Sequence, residues 1–355
     1  MNLPSAVKTA SAFLLSSAVL SQALGDVTVV IVGGNASRNV AYERAESILT
    51  GATKQTSSNA NLRSYVNGTL VGHPALGKVN IHFALIGAAQ GLIDIKAQNS
   101  VSTLGGNFTP NLVISGTFPE TIGIDSSIFT AQRTLVVPFV YIKNPALPNT
   151  IHGVTNLTQR QASYLQASSG SLPTAFFGGE SNTDPLYLIG RNTGAAVRQV
   201  FDANIYFTGT PSFWTTNVSP NPALPPIPHP AGGHSGGALV TADLAVIPNA
   251  IGTVASGDIG TFTTLAYEGV PFTPANVANG TYPIWGYEAW YFKNSGAGQP
   301  SANQLTVLNA LIAAVTDTTY QHTAGNAFAT GKYVPLDDLQ VERSADGGPI
   351  TSTIY

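Results

Sequence analysis

Short apolar runs alternate with amphipathic ones along the chain, and the breaks between them fall at Gly, Pro, Asn and Ser. Residues 27–32 form a continuous β-branched run that ends at Gly33-Gly34-Asn35. Val40, Ala41, Ala45, Ile48 and Leu49 follow at helical spacing, a pattern that predicts strand, glycine turn, helix. Residues 79–86 and 92–95 read as further strands, and residues 111–114 as a short one ending at Ser115-Gly116. Residues 134–142, TLVVPFVYI, make the most strand-like segment, and Pro138 within it predicts an edge position or a bend. Residues 158–166 read as a helix capped by Asn156 or Thr158. A strand over 186–190 then leads into a helix over 195–203. Strands follow at 247–254 and 261–266, and Leu305, Leu308, Leu311, Ile312 and Val315 give an amphipathic helix over 302–316. This alternation predicts open α/β sheets, not a sandwich or a bundle.

Residues 1–25 carry one lysine, Lys8, then a mostly apolar stretch, then Ala23 and Gly25 at the spacing of a signal-peptidase cut before Asp26. The expectation is a secretory signal peptide, with the mature protein periplasmic or secreted and not inserted in a membrane. Removing it leaves about 330 residues, enough for one large domain or two medium ones. Charged residues make up 9% of the chain, against roughly 25% in an average soluble domain. Net charge is −3 with no block of like charges, so the clustered Lys and Arg that a phosphate backbone requires are missing and no nucleic-acid partner is expected. The chain has no Cys, which excludes a disulfide, a lipid-modified cysteine anchor, a catalytic thiol and a thiolate metal site. Six prolines over residues 219–230 predict an extended loop within a lobe. The N-x-S/T triplets reflect a composition rich in Asn, Ser and Thr.

Three glycine-rich segments carry candidate chemistry. The first, Gly33-Gly34-Asn35-Ala36-Ser37-Arg38, joins strand to helix, where unpaired N–H groups and partial positive charge suit an anion. Its spacing is not that of a dinucleotide fingerprint. The second, Gly190-Arg191-Asn192-Thr193-Gly194-Ala195-Ala196-Val197-Arg198, places Arg191 at the C-terminal end of a strand, where ligands bind in open α/β sheets. The planar fork of arginine suits a two-oxygen ligand. In the third, Gly232-Gly233-His234-Ser235-Gly236-Gly237, the serine sits in a turn like that of chymotrypsin-like nucleophiles. A serine hydrolase also needs a His base held by a buried Asp, and the other histidines lack that family's context. The expected reading is a helix entry with Ser235 as N-cap, and catalysis at Ser235 is kept as an alternative. The histidines and acids show no zinc or calcium spacing, so no metal and no cofactor are expected.

In order along the chain, GGNASR, the strand end Ile114-Ser115-Gly116, VVPFVYIKN, VTNLT, GRNTGAAVR, GGHSGGALV, AIGTVA and TYPIWGYEAWYF resemble the PstS-like periplasmic phosphate-binding proteins of ABC transporters. These motifs cover most of residues 27–300. The resemblance implies a type 2 periplasmic-binding-protein fold, α/β in two lobes joined by two crossover hinge segments near 135–143 and 282–287. It implies a discontinuous first lobe, 26–137 plus 283–355, and a second lobe, 138–282. It also implies a non-enzymatic solute-binding protein that captures a small anion, a phosphate-like oxyanion, between the lobes, with an ABC permease as partner. Carried over by position, ligand contacts fall on Ser37, Ser115, Arg191, Thr193, Gly194 and Ala195, and their neighbours in the same turns, Asn35, Ala36, Arg38, Gly116, Asn192 and Arg198, with Ser235, complete the candidate site. The family pattern has an acid after its arginine, followed by hydroxyls. Here Asn192 stands for the acid and Ala195-Ala196 for hydroxyls, so phosphate itself is not implied as the ligand. The alternative from the structural class is an exported surface protein on the same scaffold without a ligand.

Overall fold

A run of β-branched residues suits a strand covered on both faces, and the strand Val27–Gly33 is buried along almost its whole length. Val29 and Ile31 enter one apolar cluster, while Val30 and Val32 enter the other. In this computed structural model, which describes residues 26–216, 224–328 and 331–352, the strand pairs in parallel with Val79–Ala84 on one side and Leu112–Ser115 on the other. The predicted leader and residues 219–223 of the Pro-rich loop lie outside the described residues.

These strands belong to one sheet of 11 strands. Its order runs Tyr187–Ile189, Ala250–Ala255, Phe129–Lys143, Trp285–Lys293, Leu112–Ser115, Val27–Gly33, Val79–Ala84, Leu62–Leu70, Leu49–Thr50. Two short strands, Thr53–Thr56 and Thr263–Thr264, pair beside that path. Phe129–Lys143 binds the sheet's halves together. Its residues 129–138 pair antiparallel with Trp285–Lys293, and its residues 139–143 pair antiparallel with Ala250–Ala255. This strand therefore crosses between the halves, and the segment that leads into Trp285–Lys293 runs beside it, the Tyr282 hydroxyl donating to the Phe139 carbonyl at 2.8 Å. Pro138 is not on an edge. It sits in a central strand where pairing passes from one partner to the other, a place that tolerates a missing N–H.

Helices cover both halves. Arg38–Ile48 packs on Ala302–Val315 beside the first half, and Ala196–Asn204 and Gly237–Leu244 pack on Ala250–Ala255 in the second. Ser301 with Gln304, and Thr158 with Gln161, form capping boxes that start the helices Ala302–Val315 and Gln159–Ser168. Residues 92–95 are helical, not a strand. They lie inside Ala88–Ala97, whose buried Ala88, Ala89, Leu92 and Ile95 follow helical spacing, and a short apolar run does not separate the two states by periodicity. The C-terminal residues Lys332 to Val334 strap the halves together. Tyr333 donates its hydroxyl to the Ala36 carbonyl at 2.7 Å, Ser256 donates to the Lys332 carbonyl, and Val334 pairs with Val136. No helix among the described residues is long and apolar enough to cross a membrane.

Candidate functional site

Three loops leave the C-terminal ends of strands and each starts a helix. Gly34 to Ala36 lead into Arg38–Ile48, Gly87 leads into Ala88–Ala97, and Ala195 leads into Ala196–Asn204. None of the three helix starts has a side-chain cap or an acid in its first turn. All three meet at one small cavity of about 10 Å³, room for about one water. It is lined by these loops together with Gly116, Phe139, Arg191 and Glu288. Converging uncapped N-termini give a positive electrostatic floor suited to an anion.

Arg191 is 2% exposed, and its guanidinium donates from Nε to the His234 carbonyl at 3.2 Å and from Nη2 to the Ser235 carbonyl at 2.9 Å. Burial brings it down to about 10, opposed by Asp258, so it stays a cation at neutral pH. The two carbonyls hold the fork rigidly at the cavity wall. His234 in turn is fixed at both ring nitrogens, with Nε2 2.6 Å from Asp243 and Nδ1 3.3 Å from His229. Burial alone would raise the Asp243 carboxyl, but hydrogen bonds from His234, Thr215 and Thr216 hold it below its ordinary range.

The residues predicted from sequence separate into groups. Asn35, Ala36, Gly116, Arg191 and Ala195 line the cavity. Ser37 stands behind it, 2% exposed, with its hydroxyl donated to Glu288 Oε1 at 2.5 Å. Arg38 and Ser235 face an outer pocket of about 380 Å³ that shares Asn35 with the cavity. The Gly194 carbonyl accepts from the Ala89 N–H at 3.1 Å, which joins the second and third loops directly.

Others lie elsewhere. The Ser115 hydroxyl closes a turn onto the Thr117 carbonyl at 2.8 Å, and Thr193 is exposed. Asn192 is half-buried and holds the His234 carbonyl through its backbone N–H. Arg198 turns away to pair with Asp202 at 2.5 Å and to lie over the Phe213 ring. A buried arginine with an i,i+4 carboxylate is satisfied within its own helix, so it does not reach the cavity. Gly236, not Ser235, caps the helix Gly237–Leu244, and Ser235 is exposed. Both ring nitrogens of His229 and of His234 are engaged, which leaves neither imidazole as a base for Ser235.

Sequence reasoning did not single out Glu288. It is fully buried in Trp285–Lys293, and burial pushes its carboxyl up to about 7, against the opposing hydrogen bond from Ser37. A lone acid in an otherwise buried aromatic strand was the available signal. Elsewhere, His322, Asp337 and Asp338 bring ligand atoms within 4.8 Å of one another, but all three are exposed, and exposed acidic groups commonly cluster without an ion.

No family model and no curated protein matches the chain. Solved structures do match in fold. A chain from Clostridium perfringens, described as a phosphate ABC transporter substrate-binding protein with bound phosphate, superposes with a TM-score of 0.56 at 15% identity, covering 87% of this chain and 99% of that one. An ABC-type phosphate transport receptor from Vibrio cholerae gives 0.52 at 13%, covering 86% and 99%. A phosphate-binding protein from Stenotrophomonas maltophilia gives 0.50 at 14%, covering 88% and 91%. The chain has this PstS-like fold, mixed α/β around one large sheet.

Proposed function

We propose that this protein is a solute-binding protein that captures a small oxyanion between two lobes, residues 26–137 plus 283–355 and residues 138–282. The observation that carries the reading is the meeting of three uncapped helix starts and the buried Arg191 at one cavity between the halves of the sheet. Those groups present hydrogen-bond donors and positive charge from both sides, the arrangement that stabilises an anion. A cavity of about 10 Å³ is smaller than a tetrahedral oxyanion, so capture requires the lobes to part about the crossing segments near 135–143 and 282–287 and close again. Export through the leader at residues 1–25, residence in the periplasm or outside the cell, and delivery to an ABC permease complete the proposal. They rest on the sequence pattern and on the shared fold.

Isothermal titration with phosphate, sulfate and small carboxylates tests it. Binding of any of these with one site per chain supports the reading, and no heat and no thermal shift with all of them would end it. That second result is what a ligand-free scaffold predicts, a reading favoured by the small cavity and by the engagement of Ser37 and Arg191 with protein atoms. Catalysis by Ser235 would need a base that the neighbouring histidines do not offer, and labelling of Ser235 by a fluorophosphonate would restore it.

A further inference from the structure

The anion-binding reading leaves one group of the cavity without a role. Glu288 lies in a strand whose first eight residues are all buried, and it makes no ion pair among the described residues. Its Oε1 accepts from the Ser37 hydroxyl, while Oε2 is buried and takes no hydrogen bond. That free oxygen faces Gly116 on the cavity wall, where an added Cβ would lie 3.1 Å from it. A β-bulge aims the side chain. Pairing with Phe129–Lys143 shifts between Glu288 and Ala289, and the skipped Thr134 donates its hydroxyl to the Glu288 carbonyl at 2.9 Å.

Several groups surround this carboxyl. Arg191 shares its cavity, with its fork held by two backbone carbonyls. Tyr333 and Tyr291 lie within range of its charge and stay neutral phenols, each pushed well above its ordinary range chiefly by burial, with Glu288 adding to the rise. Arg38 and Asp258 oppose each other, and both act on Arg191 and Tyr333. An ionised Glu288 beside a bound anion would place two like charges side by side at a buried site, which disfavours one of them strongly.

We propose that Glu288 holds the anion as a neutral carboxylic acid, its Oε2–H donating to a ligand oxygen, so that the site takes an oxyanion carrying no proton of its own. This inference rests on the anion-binding reading above. The carboxyl's burial, which brings its titration close to neutrality, places the protonated form within reach at physiological pH. Above that pH, binding takes up one proton from solvent onto Glu288, and release returns it. Asn192, standing where an acid is expected, supplies no competing acceptor charge. Sulfate is the tetrahedral probe of this class. Phosphate is the control, because it brings a proton and could use an ionised Glu288 as acceptor.

The test is titration calorimetry of the purified protein with sulfate and with phosphate from pH 6 to pH 9, in two buffers of different ionisation enthalpy. The proposal expects sulfate affinity to fall about tenfold per pH unit above pH 7, with one proton taken up per sulfate at pH 8. Glu288→Gln keeps a donor that does not titrate, so its sulfate affinity stays constant across the range. Ser37→Ala removes the hydrogen bond that lowers the carboxyl's titration, so it moves the onset of the decline to higher pH, a second check if Glu288→Gln does not fold. Sulfate binding without pH dependence, or with the same dependence in Glu288→Gln, overturns the role of Glu288 and leaves anion binding intact. So does phosphate binding that Glu288→Gln abolishes while sulfate never binds. Absence of binding by either anion at every pH overturns both readings.

Discussion

Gly87→Ala attacks the closed arrangement at one point. Gly87 starts the helix Ala88–Ala97 opposite Gly194, and a Cβ at residue 87 would stand 2.7 Å from the Gly194 carbonyl oxygen and 3.2 Å from its carbon. The first distance is about 0.7 Å short of the 3.4 Å at which ordinary contact begins. Both sides of the clash are backbone, so no rotamer change relieves it, and the adjacent bond from the Ala89 N–H to the same carbonyl stretches as the loops separate. Overpacking costs about 1–3 kcal/mol, and a weakened hydrogen bond adds about 0.5–1.5 kcal/mol. Together these disfavour closure by about 2–4 kcal/mol, and a ligand that is held only in the closed form then binds about 30- to 1000-fold more weakly. The nearest atoms to the added Cβ are backbone of Gly194 and none belongs to the apolar clusters, so the urea midpoint should move little. Small-angle scattering without added anion reads the opening as a larger radius of gyration, and calorimetry reads the affinity. Gly236→Ala is the control, because nothing lies within 4 Å of a Cβ there. An unchanged radius with affinity within threefold of the parent would refute the reasoning.

Three further outcomes follow from the same geometry. Burial raises the Glu288 carboxyl from 4.5 to about 7, so its contribution to stability is fully present below pH 4.5 and is lost as pH rises to about 7. The stability difference between the protein and Glu288→Gln should therefore change by about 3 kcal/mol between pH 4.5 and pH 8 in urea unfolding, and a flat difference would contradict the burial argument. Arg191→Lys keeps the charge but loses the fork that reaches both the His234 and Ser235 carbonyls, so denaturation should show a loss of about 2 kcal/mol. Asp243→Ala removes the acceptor for the Thr215 and Thr216 hydroxyls and for His234, which frees the pairing of Trp214–Thr215 with Ile227–Pro228. Limited proteolysis should then cut between residues 214 and 230 well before the rest of the chain.

The parts of the fold legible in the sequence were those where one pattern left no rival. The run ending at Gly33, the strand before Gly116 and the capped helix Ala302–Val315 each carry their own period and their own stop. The helix Ala88–Ala97 was not legible, because the three apolar residues of its Leu92-Ile93-Asp94-Ile95 stretch suit a short buried strand as well as a helix. Pro138 predicts an edge position or a bend because proline removes a ladder donor, and tertiary topology instead uses that gap where one partner strand replaces another. At the site, the glycine loops pointed to the three helix starts, whereas the fate of each hydroxyl depended on neighbours far away in sequence. Ser37 meets Glu288, 251 positions further on, and no local pattern foretells that pairing. Arg198 was read as a ligand group for want of knowing that Asp202, one turn later, would claim it.

The strand Trp285–Lys293 sits between Leu112–Ser115 and Phe129–Lys143, although it is made after both of them and after everything in between. Until about residue 293 has been synthesised, the middle of the sheet is a gap flanked by two unsatisfied edges. A nascent chain halted before that point has no way to complete its architecture, and assembly must wait for nearly the whole polypeptide. Such a delay leaves those two edges open to pairing with other strands for most of the synthesis of the chain.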